Sequence, residues 1–151
     1  MLFRSLITGS SSGIGKATAE VLAESGFGVY AGIRSMQHAE QFSSKNNIIP
    51  IVLDVTDPNV VLAAFKEIQK RGTGLFGLVN NAGIAKAGAL MDISDEDMKE
   101  QFEVNLFGVH RVTRLFIPLL HESQGRIVMM SSDSGFFATP FFGPYCSSKF
   151  A

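Results

Sequence analysis

The chain has 151 residues, one cysteine, 18% charged residues and a net charge of −1. That length can bury a single core, while the charge balance argues against a nucleic-acid partner, whose phosphates call for a basic patch. A lone Cys146 excludes an internal disulfide and suits a reducing compartment. His38, His110 and His121 lie too far apart to suggest metal ligation, and no apolar run approaches the length of a membrane span. A cytoplasmic protein is therefore expected.

Leu2 to Ile7 is short and mostly apolar and reads as a buried first strand. Thr8-Gly9-Ser10-Ser11-Ser12-Gly13-Ile14-Gly15 follows, then Ile14, Ala17, Thr18, Val21 and Leu22 at helical spacing, which predicts a helix with those residues on one face. Strand, glycine turn and helix form the context of a nucleotide-phosphate site. Glycines let the backbone approach a pyrophosphate, and the helix N-terminus offers free N–H groups. The spacing Gly9, Gly13, Gly15 departs from G-x-G-x-x-G, and alone the turn is also compatible with a purely structural role.

Gly28 to Ile33 reads as a second strand after a helix stop at Gly26. At its end, where an NAD site carries an acid for the ribose 2′-hydroxyl, the chain has Arg34-Ser35 and no acid before Glu40. An arginine there suits the 2′-phosphate of NADP; the alternative is a solvated side chain. Met36 to Asn47 is polar and is predicted as a helix with a loose end. Ile48 to Leu53 is a third strand closed by Asp54-Val55. Asp57 is placed as an N-cap with Pro58 in the first turn, and Val61, Ala64, Phe65 and Ile68 form that helix's buried face.

Leu75 to Val79 is the predicted fourth strand, ending in Asn80-Asn81-Ala82-Gly83. Ser94-Asp95-Glu96-Asp97 invites a metal-site reading but is more simply a capping box with acids at the positive end of a helix. One long helix is then predicted, with Met98, Phe102, Asn105, Val109, Val112 and Phe116 on a single stripe. Asn105 is an amide on that apolar face; buried, it must be hydrogen-bonded, as a structural bracket or as part of a polar site. Ile127 to Met130 is the fifth strand and delivers Ser131-Ser132.

A Phe- and Gly-rich loop leads to Tyr145-Cys146-Ser147-Ser148-Lys149. In a helix, Tyr145 and Lys149 lie one turn apart on one face. At roughly 5 Å and an effective dielectric of about 20, the attraction between ammonium and phenolate is about 3 kcal/mol, or roughly two pK units. That moves a phenol toward proton exchange near neutral pH. Taken alone, the pair is more simply a solvated helix contact. Strands alternating with helices imply a parallel α/β sheet with right-handed crossovers. The glycine turn, Arg34, Asp54, Asn80 and Ser132 all fall at strand C-termini, where such sheets bind ligands.

Thr8-Gly9-x-x-x-Gly13-x-Gly15, Asp54-Val55, Asn80-Asn81-Ala82-Gly83, Asn105, Ser132 and Tyr145-x-x-x-Lys149 together resemble the short-chain dehydrogenase/reductase family in order and spacing. The resemblance implies a Rossmann-type doubly wound sheet over residues 1–151 as one NAD(P)-binding domain, and interconversion of an alcohol and a carbonyl. Val29 to Arg34 and Tyr145 to Ala151 look like the 17β-hydroxysteroid and retinol dehydrogenase branch, whose motifs overlap those of acyl-carrier-protein reductases. By resemblance, Tyr145 is the general acid or base and, with Lys149, also a cofactor contact, and Ser132 hydrogen-bonds the substrate oxygen. Lys149 supports the tyrosine and the nicotinamide ribose, and Asn105 fixes a water that connects the lysine to solvent. Thr8, Gly9, Ser11, Gly13, Ile14 and Gly15 surround the pyrophosphate, Asp54 and Val55 the adenine, and Asn81, Ala82 and Gly83 the ribose side. Arg34 with Ser11 resembles the family's NADP-preferring arrangement, so NADPH is the expected cofactor and NAD a possible one.

Phe136, Phe137, Phe141 and Phe142 are expected to line a pocket for a small apolar carbonyl or alcohol, or else to pack in the core or between subunits. Full-length family members are expected to form homodimers or homotetramers. They are also longer, so the last strands and the substrate lid are expected to be absent here, leaving the fifth strand as an open edge. Two expectations follow: the N-terminal part of an active reductase, or a catalytically silent nucleotide-binding or interaction module.

Overall fold

The computed structural model describes residues 3–151; the expected strand start at Leu2 lies outside them. Five strands form one parallel sheet in the order β3-β2-β1-β4-β5: β1 (Arg4–Ile7), β2 (Gly28–Ile33), β3 (Ile48–Val52), β4 (Gly77–Asn80) and β5 (Arg126–Met129). The boundaries of β4 and β5 shift by one or two residues from the sequence reading, the ordinary uncertainty of strand ends. The helices are α1 (Gly13–Glu24), α2 (Pro58–Lys70), α3 (Asp95–Phe102), α4 (Val109–Glu122) and α5 (Gly143–Phe150).

Strand periodicity sorts the core into two layers. Leu6 pairs in register with Tyr30 and Leu78, and these side chains pack with Val61, Ala64 and Ile68 of α2 and Val112 and Phe116 of α4. Ile7 pairs with Ala31 and Val79 and faces Ala19 and Ala23 of α1. Pro50 is tolerated because β3 is an edge strand. At the opposite edge β5 is exposed along its length, including Ile127, Val128 and Met129.

Three expectations are corrected. In α1 the buried positions are Gly15, Ala19 and Ala23, whereas Ile14 and Val21 are exposed. Small residues face the sheet because the glycine turn pulls this helix close to it, and helical spacing alone did not separate the two faces. Met36–His38 and Glu40–Phe42 are single 3₁₀ turns rather than a helix, and only Phe42 is buried among them. A segment this polar has one apolar anchor to set against the ordering of a longer helix. The long helix after Ser94 is interrupted by a π-helical stretch, Glu103–Gly108, that separates α3 from α4. The single stripe therefore breaks at Asn105: Val112 and Phe116 are buried, while Met98 is part exposed.

The capping expectations hold. Asp57 accepts from the N–H groups of Asn59 and Val60 with Pro58 in the first turn. Ser94 accepts from the Asp97 N–H, and Lys86 pairs with Asp97 and Glu100. That cation, with the Ser94 contact, holds the Asp97 carboxyl below the usual carboxylate range.

Candidate active site

The strand order reverses direction between β1 and β4, and in a parallel sheet that switch point opens a crevice at the strand C-termini. The two strands are tied there by hydrogen bonds. The Thr8 N–H donates to the Val79 carbonyl, and the Thr8 hydroxyl accepts from the N–H groups of Asn81 (3.0 Å) and Ala82 (2.9 Å). The Asn81 side-chain amide donates back to the carbonyls of Thr8 (2.9 Å) and Gly9 (3.2 Å). Thr8 is buried by these contacts, so it braces the crevice from behind and does not line it.

The turn after β1 is as tight as the backbone allows. Gly9 has φ of +68°, a conformation that side chains disfavour. A Cβ on Gly15 would stand 2.4 Å from both the Asn81 amide nitrogen and the Gly9 carbonyl oxygen. At the start of α1, Ser12 makes no side-chain cap and no acid sits in the first turn, which leaves the positive end of the helix open to an anion.

A cleft of about 1320 Å³ runs across these strand ends. It is lined by Gly9, Ser11, Gly13, Ile14 and Gly15 of the turn, Arg34 after β2, Asp54 and Val55 after β3, and Asn81, Ala82 and Gly83 after β4. All the expected cofactor contacts except Thr8, Tyr145 and Lys149 therefore share one cavity. Arg34 is exposed and makes no ion pair among the described residues. The Asp54 Oδ1 accepts from the Thr56 N–H and hydroxyl. The sequence reading missed Thr56, Glu103 and Phe107 on the lining. Phe107 carried a signal, because it is apolar yet out of phase with the stripe through Phe102 and Val109.

Beyond Gly83 the structure brings in α5. A Cβ on Gly83 would lie 3.3 Å from Asn105 Oδ1 and 3.8 Å from Lys149 Nζ, so those groups face the same small space beside the cleft's Gly83 wall. Lys149 Nζ donates to the Met130 carbonyl at 2.9 Å and lies 5.8 Å from the centre of the Tyr145 ring. Burial pushes the Lys149 pKa below that of an ordinary lysine. Tyr145 is half-buried, and its ring meets Phe142 edge-on at 6.2 Å.

Asn105 is buried and hydrogen-bonded on both sides of its amide. Oδ1 accepts from the Ile84 N–H, while Nδ2 donates to the Ile84 carbonyl and to the Ser148 hydroxyl. It is thus a bracket joining the loop after β4 to α5, and the bracket ends one residue from Gly83. Ser148 was missed because its serine neighbour made it indistinguishable in sequence. One turn before Asn105, the buried Gln101 repeats the device by accepting from the Lys86 N–H. Ser132 stands just past β5, where its hydroxyl donates to Asp133 Oδ1 at 2.8 Å and accepts from the Ser134 N–H at 3.2 Å. Phe136, Phe137 and Phe141 are exposed and Phe142 partly so, which does not match core packing within this chain.

A doubly wound parallel sheet with a glycine turn at its switch point is the Rossmann-type dinucleotide-binding arrangement. Residues 4–151 match the family model for short chain dehydrogenases, and the chain belongs to that family. It is 39% identical over 97% of its length to an NADPH-dependent 3-dehydrocapnine reductase of Ornithobacterium rhinotracheale, covering 55% of that protein. It is 40% identical over 97% of its length to the uncharacterized oxidoreductase YbbO of Escherichia coli K12, again covering 55%. An alcohol dehydrogenase of the archaeon Thermococcus sibiricus, solved with 5-hydroxy-NADP, superposes with a TM-score of 0.93 at 30% identity over all of this chain and 67% of its own. The chain spans about half the length of the curated relatives it matches. No helix among the described residues is long and apolar enough to cross a membrane.

Proposed function

We propose that the protein carrying this chain is an NADP(H)-dependent oxidoreductase that interconverts a primary or secondary alcohol with an aldehyde or ketone. The observation that carries the proposal is one cleft across the strand ends with Lys149 next to its Gly83 wall. Arg34, the glycine turn and Gly83 share its lining, and Lys149 and the Asn105 bracket stand beside Gly83. The residues fit a dinucleotide: Gly9 and Gly15 let the turn close against Asn81 and Ala82, Gly13 puts no side chain into the open space of the cleft, and α1 presents an uncapped N-terminus. Arg34 is an unpaired cation where a 2′-phosphate would lie. The relative described as NADPH-dependent and the neighbour holding 5-hydroxy-NADP support the same choice.

In this reading Gly9, Ser11, Gly13, Ile14 and Gly15 hold the pyrophosphate, Asp54 and Val55 the adenine, and Asn81, Ala82 and Gly83 the ribose side. The exposed Ile14 side chain is then covered by the ligand. The bound nicotinamide supplies or accepts the hydride. Tyr145 protonates the substrate oxygen in reduction and removes its proton in oxidation. Lys149 stabilises the phenolate electrostatically and binds the ribose hydroxyls. Asn105 keeps a lone pair on Oδ1 for a water leading from Lys149 to solvent. The exposed phenylalanines after Ser132 line the approach of an apolar substrate.

Arg34→Asp tests the cofactor assignment. Loss of a charge-assisted contact to phosphate is expected to weaken NADPH by about ten- to a hundredfold while NADH tightens. Fluorescence titration with both nucleotides reads this, and unchanged NADPH affinity would contradict it.

Ser132 stabilises the substrate oxygen only by donating its proton, and that proton is engaged by Asp133. The same hydrogen bond, with the Ser134 N–H, holds the Asp133 carboxyl below the usual range, so the acceptor stays ionised at neutral pH. Asp133→Ala in the full-length protein is therefore expected to raise kcat/KM by roughly fivefold, the worth of one freed hydrogen bond. The gain should vanish in a Ser132→Ala background. A loss of activity, or a gain independent of Ser132, counts against this.

A further inference from the structure

Arg111 lies on α4, outside every motif the sequence singled out, and it does not line the cleft. Its guanidinium nevertheless reaches two groups that do. One arm donates to the Val55 carbonyl and the other to Glu103 Oε1 at 2.7 Å. The Val55 carbonyl belongs to the peptide joining Val55 to Thr56, and the N–H of that same peptide donates to Asp54 Oδ1 at 2.9 Å. That one planar unit is thus fixed at both ends, by a cation on one side and a carboxylate on the other. Packing adds to the constraint, because a Cβ on Gly108 would stand 2.7 Å from Val55 Cγ2, so the π-helical stretch presses directly on this loop.

We propose that Arg111 is a positioning residue for the adenine end of the nucleotide cleft. It acts through the Val55–Thr56 peptide, holding the Asp54–Val55 loop in its binding geometry before the ligand arrives. The inference rests on the cofactor part of the proposed function. Without the arginine, the carbonyl loses its charged donor and the peptide is free to turn; Asp54, whose Oδ1 is bonded to that peptide, turns with it. Preorganisation of this kind appears as affinity for the part of the ligand that touches the loop and for no other part.

The test compares the full-length parent with Arg111→Met, of similar length without donors, and Arg111→Lys, which keeps the charge on a single ammonium. Without nucleotide, amide hydrogen exchange at Thr56 is expected to speed up by about tenfold in the methionine variant. Affinity for adenosine 2′,5′-bisphosphate and for NADPH should fall by about the same factor. Affinity for nicotinamide mononucleotide should not change, and the lysine variant should fall between parent and methionine. Unchanged Thr56 exchange overturns the proposal, as does unchanged bisphosphate affinity or an equal loss for the mononucleotide. If the methionine variant does not fold, the lysine variant decides, since weaker bisphosphate binding with mononucleotide binding intact supports the pin and unchanged bisphosphate binding removes it. A parent that binds neither NADPH nor the bisphosphate defeats the cofactor reading, and this inference falls with it. Faster Thr56 exchange would still register there, which separates the two failures.

Discussion

Tyr145→Phe in the full-length protein is expected to lower kcat for carbonyl reduction by about a hundred- to ten-thousandfold, with NADPH affinity nearly unchanged. The ring stays in place, because its contacts with Phe142 and with the Lys149 ammonium are made by the aromatic face and edge. Only the hydroxyl is lost, and with it the proton that the proposed mechanism delivers to the substrate oxygen. A structural role would predict the reverse, a stability change with little effect on turnover. The alkaline limb of the pH profile adds a second reading of the same site. Lys149 is held below an ordinary lysine's pKa by burial. As pH rises through that lowered value the cation beside the phenol is lost. Activity should therefore decline at a lower pH than an exposed lysine would set.

Gly15→Ala is expected to cost roughly 1–3 kcal/mol of stability and to weaken NADPH by at least about tenfold. The added methyl would stand 2.4 Å from the Asn81 amide nitrogen and from the Gly9 carbonyl oxygen. Neither can yield alone, since the Asn81 amide is bonded to the Thr8 and Gly9 carbonyls that hold β1 against β4. The turn must open, and the proposed pyrophosphate surface opens with it. Gly26→Ala provides the comparison. Gly26 has φ of +87° and nothing within 4 Å of a Cβ, so the substitution strains the backbone by about 1–2 kcal/mol at the far end of α1. Urea midpoints should fall for both variants, but NADPH titration should separate them. Equal nucleotide affinity in the two would show that the glycine turn is not the phosphate cradle.

The parallel sheet was legible because each strand carried its own apolar run and turn residues, and because Asp57 and Ser94 marked helix starts with side-chain chemistry that acts locally. Most of the cleft followed from the same logic, since residues at the C-termini of parallel strands must share one edge. What could not be read depends on contacts distant in sequence. The face that α1 buries is decided by how closely the Gly9 turn draws it to β1, and helical periodicity does not encode that distance. The π-helical stretch at Glu103–Gly108 arises where Asn105 must meet Ile84 and Ser148 while Gly108 admits Val55. Each partner is remote in the chain. Thr8 was placed on the cleft by its position in a motif, whereas its hydroxyl is used to receive two N–H groups from the far side of the crevice. Arg111 gave no signal at all, because an arginine on a helix looks the same in sequence whether it meets water or a carbonyl.

In the proposed reaction Lys149 and Tyr145 stand where a nicotinamide bound along this cleft would meet its substrate. The most direct measurement follows the hydride itself, using NADPH carrying deuterium on the transferred position of the nicotinamide, an apolar ketone, and mass spectrometry of the alcohol formed by the full-length protein. The account predicts deuterium on the carbinol carbon with the parent and almost none with Tyr145→Phe. Label-free alcohol, or equal labelled product from both proteins, would contradict it.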